Sequence, residues 1–161
     1  MRHLWRHFGT GLRVVFAGMG VTFVTLAAMT GADSRQTSDK QQLMAFAEFR
    51  PLHAQKSVLV VDVRDADSFS NGRIPGAIHV PVHDIDARIA AVKKAANGRV
   101  VVTYCSCPTE ASSLRAAQQL SAAGVAAKAL VGGFPKWVES GGPVERESQR
   151  SSAASASRNA R

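Results

Sequence analysis

Residues 99–123 read RVVVTYCSCPTEASSLRAAQQLSAA, and the change of pattern inside that stretch decides the fold. Residues 99–104 are a β-branched run without polar alternation, the pattern of a strand buried on both faces. Residues 111–123 instead set Leu114, Ala117 and Leu120 at helical spacing, with Gly124 as the C-cap. Only CSCPTE separates strand from helix. The same grammar recurs upstream, where residues 57–63 (SVLVVDV) predict a second doubly buried strand. Residues 84–96 (DIDARIAAVKKAA) predict a helix on Ile85, Ile89 and Val92, stopped by Asn97-Gly98.

Shorter signals complete the pattern. Residues 65–70 suit one or two helical turns before an Asn71-Gly72 turn, and residues 77–80 a short strand ended by Pro81. Residues 127–131 predict a further strand, Gly132-Gly133 a turn, and residues 134–139 a last short helix. On the N-terminal side, Ser38-Asp39-Lys40-Gln41 reads as a capping box. The helix it opens would turn Leu43, Met44, Phe46 and Ala47 inward and end at Arg50-Pro51, because Pro restricts the residue before it. Strands alternating with helices imply an α/β, doubly wound parallel sheet flanked by helices. Ligands in such sheets bind outside the carboxyl ends of the strands, an edge that receives both Arg64 and Cys105.

The chain has 161 residues, 45% hydrophobic and 6% aromatic, enough for one domain of ordinary size with extensions. Its formal charge of +8 gathers at the ends, with Arg2, Arg6 and Arg13 at one and Arg146, Arg150, Arg158 and Arg161 at the other. No basic cluster interleaved with aromatics occurs, so nucleic acid is not an expected partner. Residues 14–32 run without a charge behind that basic leader. They predict a signal peptide or N-terminal membrane anchor over residues 1–33, with Thr30-Gly31-Ala32 as an imperfect cleavage site. Arg on the leading side places the rest across the membrane, in the periplasm or anchored facing it. Residues 145–161 hold no large apolar side chain and are expected to be a disordered tail, leaving residues 34–144 for the folded domain.

Cys105 sits where a strand meets a helix N-terminus. The unpartnered N–H groups and the dipole there favour an anion, and such settings lower a cysteine pKa to between ~3.5 and ~7.5. The thiolate is the nucleophilic form. On spacing alone, a small buried hydrophobe at a strand end is an equal reading.

Four separated stretches together resemble the single-domain rhodaneses, the thiosulfate sulfurtransferase-like family. Val61-Asp62-Val63-Arg64 is similar to the family's DVR at the end of a core strand. Gly72-Arg73-Ile74-Pro75-Gly76-Ala77, followed by Pro81, resembles GHIPGA…P. Tyr104-Cys105 opens the active-site loop, and Leu130-Val131-Gly132-Gly133-Phe134-Pro135-Lys136-Trp137 resembles the closing L-x-GG-x-x-x-W. The resemblance spans residues 57–144. It implies a rhodanese-like fold and a sulfurtransferase that takes a sulfane sulfur from thiosulfate, a persulfide or a polysulfide. The sulfur would rest on Cys105 as a persulfide and pass to a thiol or cyanide acceptor, a protein thiol among the possible partners, with no cofactor and no metal. The amides of Ser106, Cys107, Pro108, Thr109 and Glu110 would form the loop cradle, short of the N–H that Pro108 lacks. Asp62, Arg64 and Arg73 would support it, Arg64 either through ion pairs that hold the strand end and loop in register or by meeting an anionic substrate. Arg73 replaces the family's His and is expected to snorkel along the surface. Gly76 and Gly133 serve backbone geometry, and Trp137 packs the core.

The loop departs from the family in two ways. It has no Lys or Arg, and a Glu110 carboxylate near the thiolate would raise its pKa and repel a dianionic donor. Cys107 is the second departure: it either resolves the Cys105 persulfide or is merely a small loop residue. A Cys-x-Cys metal site, with His79 and His83 as nearest candidates, has little support. Phosphatase-type loops place Arg six positions after the Cys, where this chain has Ala111, which excludes that class. The remaining rival is a catalytically weak rhodanese-like binding or redox-sensing module.

Overall fold

The computed structural model describes residues 40–147. Among the described residues, five strands form one sheet: β1 (Leu43–Met44), β2 (Val58–Asp62), β3 (Ile78–His79), β4 (Val100–Tyr104) and β5 (Ala127–Leu130). Their order is β1-β5-β4-β2-β3, and every pairing is parallel. The helices are α1 (Phe46–Ala54), α2 (Ala66–Asn71), α3 (Ile85–Ala96), α4 (Ala111–Ala122) and α5 (Gly133–Glu139), with a 3₁₀ turn at Val82–Asp84. This is the doubly wound α/β sheet that the strand–helix alternation implies.

The β-branched run of β2 is explained by what lies on either side of it. Leu59 and Val61 pack into a core with Ile85, Val92 and Leu120 of α3 and α4. Val58 and Val60 pack on the opposite face with Phe49, Ile74 and Trp137. A strand covered twice has no solvent face for a polar residue, and burying a Val or Leu side chain fully contributes about 1.5–3 kcal/mol. The central register, Asp62 opposite Tyr104 and also opposite His79, brings the carboxyl ends of β2, β3 and β4 level.

The stretch around residue 43 differs from its expected form. Leu43 and Met44 are not helical but pair with Ala129 and Leu130. Ala129 N–H donates to Gln42 O (2.7 Å) and Val131 N–H to Met44 O (3.0 Å). Those bonds satisfy an otherwise open edge of β5, and Met44 becomes almost wholly buried, so tertiary pairing overrides local helix preference. Helix α1 begins only at Phe46, after Ala45 in extended conformation. Pro51 lies inside α1 rather than ending it. Its ring is on an exposed position, and Gln55 N–H donates to Pro51 O (3.1 Å) to continue the turn.

Arg73 also departs from expectation, for it does not snorkel: its side chain is fully buried. The guanidinium pairs with Glu145 (2.8 Å) and Glu147 (3.2 Å) and lies 4.4 Å over the Phe69 ring. The two backbones form an antiparallel bridge, Arg73 N–H to Glu145 O and Glu145 N–H to Arg73 O, each 3.0 Å. A buried cation is tolerable only when paired and hydrogen-bonded. Both carboxylates come from the segment expected to be tail, so residues 145–147 pack with the folded unit. Residues 148–161 lie outside the described residues, as does the apolar stretch 14–32. Among the described residues no helix is long and apolar enough to cross a membrane.

Candidate active site

The loop between β4 and α4 places Cys105 at the carboxyl edge of the sheet, 2% exposed. Its Sγ accepts the Cys107 N–H at 3.2 Å and lies 3.6 Å from Ser113 Oγ, in the first turn of α4. Ser113 Oγ is also 3.0 Å from Glu110 O. Of the expected cradle, Pro108 has no N–H, and the Glu110 N–H goes to Cys107 O (3.3 Å) instead of the sulfur. The Cys107 amide is thus the loop N–H whose bond to Sγ is seen. Ser106, Pro108 and Thr109 are exposed, and Cys107 is half-buried. Ser113 escaped the sequence reading, although a hydroxyl in the first turn after the loop was the available signal.

The loop is braced from the β5–α5 turn. Glu110 adopts a left-handed conformation (φ 53°) as it enters α4, and its carboxylate accepts the Gly132 N–H at 2.7 Å. Phe134 N–H donates to Cys105 O at 3.0 Å. Gly133, between them, has φ +47°, and a Cβ on it would stand 2.2 Å from that same Cys105 oxygen. Gly133 serves a close backbone approach, as expected, whereas the Glu110 carboxylate, expected to act on the sulfur, is bound to the Gly132 amide.

Beneath the loop lies a polar network. Asp62, fully buried, holds Arg64 through Arg64 Nε (2.9 Å) and the Arg64 backbone N–H (3.0 Å). Arg64 Nη2 also donates to Gly72 O (2.7 Å), and its guanidinium lies 4.2 Å over the Phe134 ring. Tyr104 OH donates to Asp62 Oδ2 (2.6 Å) and accepts from Ile74 N–H (3.2 Å). Burial, reinforced by the Asp62 carboxylate, pushes the Tyr104 hydroxyl well above its ordinary pKa. Arg64 therefore supports the site as a strut: its hydrogen bonds go to Asp62 and Gly72. Arg73 belongs to the C-terminal bridge, its guanidinium paired with Glu145 and Glu147. An open cleft of about 490 Å3 adjoins the loop, lined by Arg64, Gly72, Ser106, Phe134, Val144 and Arg146.

The acid–base properties of the two thiols run opposite to a simple helix-terminus argument. Burial, with the neighbouring Cys107 side chain, pushes the Cys105 thiol above its usual value. Hydrogen bonds from Ser112 and Cys105 hold the Cys107 thiol below its own. Ser112 Oγ is 3.4 Å from Cys107 Sγ. The expected depression of the Cys105 pKa is corrected on this ground: desolvation outweighs the few dipoles that reach the sulfur. Both cysteines are free thiols, and among the described residues no group of three His, Cys, Asp or Glu side chains is placed to hold a metal ion.

Compared with known proteins, residues 46–140 match the model of the Rhodanese-like domain. The chain belongs to the rhodanese-like family. The BH2092 protein of Bacillus halodurans superposes with a TM-score of 0.60 at 28% identity, over 71% of this chain and 84% of that one. A human single-domain sulfurtransferase shares the fold at 24% identity, with a TM-score of 0.52 over 61% of this chain and 96% of its own. A curated relative, the HTH-type transcriptional regulator Rv0324 of Mycobacterium tuberculosis, is 33% identical over 91 residues. Those residues are 55% of this chain and 38% of the regulator, so this chain spans well under half the length of that relative.

Proposed function

We propose that the protein is a sulfurtransferase in which Cys105 carries a sulfane sulfur as a persulfide. The observation behind the reading is the position of Cys105 Sγ, at a strand–helix junction, in contact with the Cys107 N–H and Ser113 Oγ. An N–H donor at that point stabilises a persulfide anion as it does a thiolate. With thiosulfate as donor, a loop thiolate attacks the outer sulfur, the bond to the sulfonate sulfur breaks, and sulfite departs with the electron pair. A thiol or cyanide acceptor then takes the terminal sulfur and returns the thiolate. Thiosulfate, polysulfides and persulfides are the donor class, and a protein thiol is a candidate acceptor. Incubating the full chain with each donor and mapping peptide masses tests this. A sulfur adduct on Cys105 that cyanide or thiol removes is expected; no adduct with any donor would sink the proposal.

The 2% exposure of Cys105 favours a second reading, a binding or redox-sensing module with weak catalysis. That reading requires oxidation of Cys105 or ligand binding without turnover in the same experiment. For location, the uncharged stretch 14–32 behind a basic leader supports export or tethering at the inner membrane, facing the periplasm. Fractionation of cells expressing the full chain tests it, and recovery in the cytosolic fraction would refute it.

A further inference from the structure

The active-site loop holds its two thiols in unequal surroundings. Cys105 is 2% exposed, its sulfur hemmed between the Cys107 amide and Ser113 Oγ. Cys107 is half-buried and lies between exposed Ser106 and exposed Pro108. Its Sγ sits 3.4 Å from Ser112 Oγ, a hydroxyl able to donate to a thiolate. The backbone N–H of Cys107 donates to Cys105 Sγ at 3.2 Å, which sets the two residues against each other. A donor sulfur must be approached in line with the bond that breaks, which needs open space in front of the attacking atom. Cys107, half-buried where Cys105 is 2% exposed, is the more approachable of the two.

We propose that Cys107 takes the sulfane sulfur from the donor first and hands it inward to Cys105, so that the loop works as a two-thiol relay. This rests on the sulfurtransferase reading and assigns its first step. The Cys107 thiolate attacks the outer sulfur of thiosulfate; the S–S bond to the sulfonate breaks, sulfite leaves with the electron pair, and Cys107 holds a persulfide anion. Cys105 sulfur then attacks the terminal sulfur while its thiol proton moves to that same atom. The Cys107 S–S bond breaks, its electrons return to Cys107 as thiolate, and Cys105 carries the protonated persulfide. No net oxidation occurs. Release to an acceptor runs the exchange in reverse.

The acid–base pattern agrees with this order, since the outer thiol is the one held below its usual range and the inner one is raised. Each pKa unit between them is about a tenfold difference in thiolate at neutral pH. A buried carrier also shields a persulfide from oxidation, to which exposed low-pKa thiols are prone.

The test uses the full chain with thiosulfate carrying labelled outer sulfur, quenched at timed intervals at pH 7, with labelled peptides mapped by mass. Wild type is expected to end with the label on Cys105. Cys105→Ser is expected to retain the label on Cys107 in a form discharged by cyanide. Cys107→Ser is expected to load Cys105 at least tenfold more slowly. Loading of Cys107→Ser at the wild-type rate overturns the relay, and so does a folded Cys105→Ser variant that takes no label. Wild type that takes no label from any donor removes the sulfurtransferase reading itself, a different failure from either of these. A second measurement needs no variant: a substoichiometric pulse of iodoacetamide should mark Cys107 about tenfold over Cys105, and the opposite preference overturns the assignment.

Discussion

The contact between Gly133 and the carbonyl of Cys105 yields a sharp experiment, Gly133→Ala. The new Cβ would stand 2.2 Å from Cys105 O, and the residue has φ +47°. A non-glycine residue in the left-handed region costs about 1–2 kcal/mol. Relieving the clash means moving backbone by roughly 1 Å, a strain of about 1–3 kcal/mol for an overpacked site. That movement also disrupts the Phe134 N–H bond to the same oxygen, worth about 0.5–1.5 kcal/mol. The combined loss is on the order of 3–5 kcal/mol. Gly124→Ala supplies the control, because Gly124 has φ +75° and nothing within 4 Å of its Cβ position. It should lose only the conformational part, about 1–2 kcal/mol. At roughly 4–8 °C per kcal/mol for a domain near this size, thermal melts should separate the two variants by 10 °C or so. Gly133→Ala should also slow sulfur loading at temperatures where it remains folded, since the displaced atom is the carbonyl of the sulfur-bearing residue. Equal melting losses in the two variants would refute the argument that Gly133 exists for this close approach.

Other expectations follow from neighbouring contacts. Tyr104→Phe removes the hydroxyl joining Asp62 to Ile74 N–H, leaves both short of a partner, and should cost about 1–3 kcal/mol in a urea unfolding curve. Glu110→Gln keeps an acceptor oxygen for the Gly132 N–H and removes the charge, so melting should hold while loading from thiosulfate speeds up; an unchanged rate would mean the carboxylate does not reach the donor electrostatically. Glu110→Arg, in contrast, should melt lower because the bond to Gly132 is lost. Because burial raises the Cys105 pKa, its thiolate forms only above the usual cysteine range near ~8.5. Loading of the Cys107→Ser variant should therefore climb from pH 7 to pH 10, and a flat profile would refute the direction. By linkage, the folded state retains a proton there that the unfolded chain has released, so this group subtracts stability as pH rises through that range.

Much of the sheet was legible because its signal is local. The runs at β2 and β4 announce burial on both faces, and Asn97 closes α3 in a left-handed conformation (φ 47°), as a helix stop should. What escaped depends on distant partners. Two residues of β1 carry no periodicity; they are a strand because β5 has an edge to satisfy. Pro51 looked like a stop, yet α1 passes through it at an exposed position. The site shows the same division. The place of Cys105 after β4 and before α4 could be read from the pattern, and so could an ion pair for Arg64, which Asp62 supplies. The direction of the Cys105 pKa could not, because the burial that desolvates the thiol comes from tertiary packing. Nor could the destination of the Glu110 carboxylate, a Gly132 amide 22 residues away.

The buried Arg73 has a bearing on how the domain completes itself. A ribosome delivers position 73 first and position 145 only 72 residues later. Throughout that interval the guanidinium has a ring to lie against, Phe69, but neither of the carboxylates that permit its burial. A nascent chain that still lacks Glu145 and Glu147 must leave this cation in water, and with it the turn that carries Gly72, the acceptor for Arg64. The strut under the sulfur loop is thus tied to a stretch that emerges 72 residues after Arg73, so the site is finished only as that stretch docks.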